Sequence, residues 1–168
     1  VWMLCDYTPV ERASIPADLT ARYDRIVLIA WSMGVWAAGH AFGHASHIFH
    51  RSVGINGTAQ PIDRHAGIPP AAFRATLNGF CKETRRQFYR RISQKAELQA
   101  VEEAVTNPHT VHPFPFDAAW VGTRDRIFPA ENQKHFWSAH TSRRILDMPH
   151  YPFFDVSWEA MLADAAND

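Results

Sequence analysis

The chain has 168 residues, 46% of them apolar and 20% charged, with 17 basic and 17 acidic side chains and a formal net charge of zero. That length suits one domain with one core, and the balanced charge gives no basis for nucleic acid or a membrane surface as partner. Cys5 and Cys81 lie far apart without CxxC spacing and read as reduced thiols. No run of about eighteen apolar residues and no signal-type N-terminus occurs, so a cytoplasmic protein is expected.

In chain order, "VWMLCDY" (1–7) and "RIVLIA" (25–30) are short apolar runs of the kind that form parallel strands buried on both faces. The intervening "TPVERASIPADLTARYD" has two prolines and enough polar residues for a loop and a short helix. From Gly34 to about Phe49 the apolar residues Val35, Ala38, Phe42, Ala45 and Phe49 fall at steps of three and four, which predicts a helix. "RSVGINGT" (51–58) restores a strand ending in a turn. "FDAAWVGTRDRIFP" (116–129) and "RRILDMPHYPF" (143–153) each read as a strand followed by a loop. Between Gly67 and Pro115 the texture is helical and arginine-rich, then a proline-rich loop. The expected architecture is a single α/β domain over residues 1–168, a mostly parallel sheet flanked by helices, with a helical lid insertion at about 67–115.

Ser32 stands where the strand "RIVLIA" must turn sharply into the helix beginning near Gly34, at the carboxyl edge of the sheet, where active sites of such folds form. A nucleophile elbow, GxSxG, needs small residues two before and two after its serine. Here the sequence is Ala30-Trp31-Ser32-Met33-Gly34, and the added methyl of alanine is sterically acceptable. The simpler alternative is that Ser32 caps the helix.

A serine hydroxyl becomes a useful nucleophile when a histidine takes its proton and a carboxylate orients that histidine. Asp125, after "AAWVG", and His150, after "RRIL", follow in the order serine, acid, histidine, each at a strand-to-loop junction. Taken alone, Asp125 could instead pair with Arg124 or Arg126, and His150 could be structural. Asp63 follows too early a strand and Asp117 precedes its strand, so both fit the acid role less well. Aromatic and apolar residues crowd this candidate site: Trp31 and Met33 beside the serine, Phe128 after the acid, and Tyr151, Phe153 and Phe154 after the histidine. Such a pocket favours an uncharged acyl end. His40, His44 and His47 fall at helical steps, but no carboxylate accompanies them, so neither a metal site nor a cofactor is expected.

The segments "AWSMGVWAA", "INGTAQPID", "GIPPAAFRATL", "RRQFYRRI", "DRIFPAENQKHFW" and "MPHYPF" resemble the BioG-type pimeloyl-[acyl-carrier protein] methyl ester esterases, α/β-hydrolases of biotin synthesis. The resemblance covers most of the chain. It implies Ser32 as nucleophile, Asp125 as acid and His150 as base, in agreement with the residue reading. It also implies a pimeloyl-carrier methyl ester as substrate, cleaved to pimeloyl-carrier and methanol. Substrate contacts are expected from Trp31, Phe128, Tyr151 and Phe153. The backbone N–H of Met33, after the nucleophile, would be one oxyanion donor. Proteins of this type begin with a further strand and a "GWG"-like loop that supplies the second donor. That segment does not occur in these 168 residues, and the stretch from Arg91 to Phe116 is short, so an N-terminal truncation and a reduced lid are expected.

In "TLNGFCKETRRQFYRRIS" (76–93), Leu77, Cys81, Thr84, Phe88 and Ile92 share one helical face, while Lys82, Arg86 and Arg90, with Arg85 near them, line the other. Most such stripes are solvated helix faces. Beside the active site of an enzyme acting on an acidic acyl carrier protein, this one suits binding of the carrier or its phosphopantetheine arm. Three functions stay open at this level: an active carrier-directed serine esterase, an impaired hydrolase remnant that binds the carrier, and an esterase or thioesterase for another short acyl substrate.

Overall fold

The computed structural model describes residues 2–4, 17–79, 113–138, 142–157, 160, 161 and 163. Five strands form one sheet: β1 (Trp2–Leu4), β2 (Val27–Trp31), β3 (Arg51–Ile55), β4 (Ala118–Arg124) and β5 (Ser142–Pro149). They lie side by side in chain order, and every pairing is parallel. The described helices are α1 (Ala17–Arg22), α2 (Gly34–Phe42), α3 (Pro70–Asn78) and α4 (Ala130–Trp137).

β2 reads as an unbroken apolar run because both faces of the sheet are covered there. Successive side chains of β2 alternate between two cores: Ile29 and Trp31 join one with Val53, Ile55, Trp120, Phe128 and Met148, while Leu28 and Ala30 join the other with Phe42, Phe116, Val121 and Trp137. The mostly parallel α/β sheet flanked by helices that the sequence predicts is therefore the one found.

The helix expected to run to Phe49 is shorter. α2 ends at Phe42, and the chain tightens into a 3₁₀ stretch, Gly43–Ile48, broken by the non-helical backbone of Ala45. This kink turns Phe49 back onto Phe42, ring centroids 5.3 Å apart, and delivers the chain to β3. Apolar spacing alone could not register the reversal, because Phe49 is buried in either arrangement. The helical steps that would have aligned His40, His44 and His47 stop with α2, and among the described residues no three His, Cys, Asp or Glu side chains are grouped to hold a metal. No described helix is long and apolar enough to cross a membrane. Within the insertion, α3 opens on Pro70 and buries Phe73. Residues 80–112, with Cys81, Lys82, Arg85, Arg86 and Arg90, lie outside the described residues, as does Cys5.

Candidate active site

Three strands end at one place. Ser32 follows β2, Asp125 follows β4 and His150 follows β5, all at the carboxyl edge of the parallel sheet. Ser32 is not a helix cap: the N-cap of α2 is Met33, and Ser32 has φ of 60°, in the left-handed region that non-glycine residues seldom occupy. Its backbone N–H donates to the carbonyl of Ile55 (2.8 Å), and its own carbonyl accepts from Val35 N–H (3.1 Å), so the strained turn is fixed from both sides. Gly57 makes room for this. A Cβ on Gly57 would come within 2.1 Å of the Ser32 carbonyl oxygen.

The Ser32 Oγ lies 2.9 Å from His150 Nε2. On the other side of the ring, Nδ1 is 2.9 Å from Asp125 Oδ2 and 3.0 Å from Oδ1. A carboxylate only accepts, so Nδ1 carries the proton and Nε2 is left to accept from the serine hydroxyl. All three residues are buried. Asp125 also accepts at Oδ1 from the backbone N–H groups of Ile127 (2.8 Å) and Phe128 (3.0 Å), and at Oδ2 from Gln133 Nε2 (3.0 Å). These donors offset much of the cost of burying a carboxylate and hold its plane toward His150. The alternative pairing with Arg124 is not adopted, since that guanidinium binds Asp147 (2.9 Å) and Asp155 (3.3 Å). Asp63 accepts from His65 and Ala66 N–H in its own turn, and Asp117 is held by Ser52. Both lie outside this hydrogen-bonded set.

The histidine loop is tied down by two side chains that sequence reasoning did not single out for the task. The carbonyl of His150 accepts from Trp31 Nε1 (2.6 Å) and from Asn56 Nδ2 (2.9 Å). Asn56 is fully buried, with φ of 48°; its amide also donates to Pro149 O (2.8 Å) and accepts from Gly122 N–H (2.7 Å). One side chain thus bridges the ends of β3, β4 and β5. The available signal was the Asn-Gly pair in "INGT", a left-handed turn signature read as a strand ending in a turn, with no further role for Asn56. Gln133 gave no signal beyond its place in "NQKHFW".

The aromatic residues divide into two groups. Trp31 and Phe128 are 1% and 0% exposed and back the site, the Phe128 ring stacked on His150 at 6.0 Å and the Trp31 ring 5.2 Å from it. Both are expected to contact substrate, and here each ring packs against the imidazole of His150. Tyr151 and Phe153, partly exposed, stand edge-on to Trp31 at 5.3 and 5.7 Å. Beyond them Phe154 is 88% exposed and 5.2 Å from Tyr151. The N–H of Met33 belongs to the first turn of α2, whose donors have no partner within the helix.

A protein-family model described as pimeloyl-ACP methyl esterase BioG matches residues 3–114. Among curated relatives, the Bacteroides fragilis malonyl-[acyl-carrier protein] O-methyltransferase is 34% identical over 155 residues, 80% of this chain. This chain spans 32% of that relative's length. An uncharacterised protein of Haemophilus influenzae is 32% identical over 164 residues, covering 86% of this chain and 75% of that protein. Among solved structures, BioG from Haemophilus influenzae superposes with a TM-score of 0.75 at 30% identity, covering 88% of this chain and 77% of that one.

Proposed function

The chain belongs to the pimeloyl-ACP methyl esterase BioG family, and from that membership we propose that it is a serine carboxylesterase hydrolysing the methyl ester of pimeloyl-[acyl-carrier protein]. The products are pimeloyl-carrier and methanol, a step of biotin biosynthesis. The observation that carries the reading is the chain of contacts Ser32 Oγ to His150 Nε2 (2.9 Å) and His150 Nδ1 to Asp125 Oδ2 (2.9 Å), buried at the carboxyl edge of the sheet.

In this reading Ser32 Oγ attacks the ester carbonyl carbon as His150 Nε2 takes its proton, and the imidazolium is stabilised by Asp125. The tetrahedral oxyanion is met by the N–H of Met33 at the positive end of α2. His150 then returns the proton to the departing methoxide, which leaves as methanol. Water, deprotonated by His150, then attacks the acyl-serine carbonyl, and His150 returns that proton to Ser32 Oγ as it departs, freeing the carboxylic acid. Tyr151 and Phe153 supply apolar surface for the uncharged methyl ester. The product carboxylate would have to give up its hydration to re-enter, which disfavours a second cut. The carrier is the proposed partner, met by Lys82, Arg85, Arg86 and Arg90; this rests on sequence pattern alone.

Mass spectrometry of the carrier after incubation with the complete protein tests the reading. Loss of one methyl with the thioester intact is expected. Loss of the whole acyl group would make the protein a thioesterase and overturn it.

A further inference from the structure

Asp125 is held by more than its own loop. Gln133, on α4, is fully buried, and its Nε2 donates both to Asp125 Oδ2 (3.0 Å) and to the carbonyl of Phe128 (2.8 Å). Its Oε1 is buried with no hydrogen-bond partner among the described residues. A buried acceptor left in that state is unfavourable, and an unbranched apolar side chain of similar size would fill the space without incurring it. The two amide donors account for a glutamine here. One goes to the carboxylate oxygen nearest His150 Nδ1. The other goes to Phe128, whose ring stacks on the imidazole and whose N–H holds Asp125 Oδ1. A cation at this position would compete with His150 for the carboxylate, and an anion would place a second negative charge beside it.

We infer that Gln133 is a positioning residue, a neutral donor that fixes the Asp125 carboxylate and the Phe128 backbone so that both sides of the His150 ring are set at once. The inference deepens the esterase reading above and rests on it.

The test compares Gln133→Met, the nearly isosteric Gln133→Glu and Ser32→Ala in the complete protein, on a p-nitrophenyl ester. Reactive Ser32 is titrated with a fluorophosphonate, so that kcat refers to competent sites. Gln133→Met should lower kcat by on the order of tenfold to a hundredfold with KM little changed, the penalty for a misplaced catalytic group. Gln133→Glu should displace the rising limb of the pH–kcat profile to higher pH by about one unit, because an added carboxylate stabilises positive charge on the imidazole. Unchanged kcat and an unchanged profile in both variants would overturn the inference. So would a loss confined to KM, or failure of both variants to fold, which would assign Gln133 to the fold alone. Activity retained by Ser32→Ala would instead remove the esterase reading itself.

Discussion

The indole Nε1 of Trp31 donates to the backbone carbonyl of His150 at 2.6 Å, so the residue preceding the candidate nucleophile holds the main chain of the candidate base. The two loops are 119 positions apart, yet cannot shift independently while this bond stands. Trp31→Phe keeps an aromatic ring and removes the donor, leaving Asn56 to hold the carbonyl. A loss of about 1 kcal/mol in stability by urea unfolding is expected, the net value of one such bond. A severalfold fall in kcat should accompany it; wild-type kcat in the folded variant would count against coupling of the two loops.

Ser32→Ala, His150→Ala and Asp125→Asn should each remove nearly all hydrolysis of p-nitrophenyl esters by the complete protein while leaving its circular dichroism spectrum unchanged. Because such residues act as one unit, each double variant should lose little more than the singles. Substantial residual activity in Ser32→Ala would end the elbow assignment.

Gly57→Ala should be among the most damaging small substitutions in the chain. The new methyl would sit 2.1 Å from the Ser32 carbonyl oxygen, a backbone atom held by Val35 N–H. The elbow must move or the variant must unfold. A loss of at least about 2 kcal/mol is expected, in the range for overpacked sites. Thermal melts together with fluorophosphonate labelling of Ser32 would measure both effects, and a variant stable and labelled like wild type would exclude the close approach.

His40 gives a pH dependence of stability. Burial lowers its pKa below the ordinary 6.5, and its Nε2 is buried with no hydrogen-bond partner among the described residues, beside the Trp36 ring at 4.4 Å. The unfolded chain therefore binds the proton more readily than the folded one. Stability should be fully present above about pH 6.5 and fall as pH drops through that value toward the lower folded pKa. His40→Phe should flatten this part of the curve, read as the difference in urea midpoint between pH 7 and pH 5. An equal slope in variant and parent would place the acid sensitivity elsewhere.

Sequence alone determined the layered architecture and the three candidate residues, for a physical reason. Strands buried on both faces must be apolar throughout, so "RIVLIA" and "AAWVG" announce themselves, and a parallel sheet brings the ends of β2, β4 and β5 to one edge. A serine, an acid and a histidine at those ends need no further information to be placed near one another. Tertiary structure decided how they are held. Asn56 and Trp31 reach the His150 carbonyl across 94 and 119 positions, and Gln133 reaches Asp125 from a helix whose exposed residues are otherwise polar. Bonds from a side chain to a distant backbone oxygen follow no periodicity and need no particular neighbour in sequence. They exist only once the sheet has brought separate loops together. At the end of α2, where Gly43 is the C-cap, it is the kink at Ala45 that brings Phe49 back onto Phe42 and turns the chain toward β3.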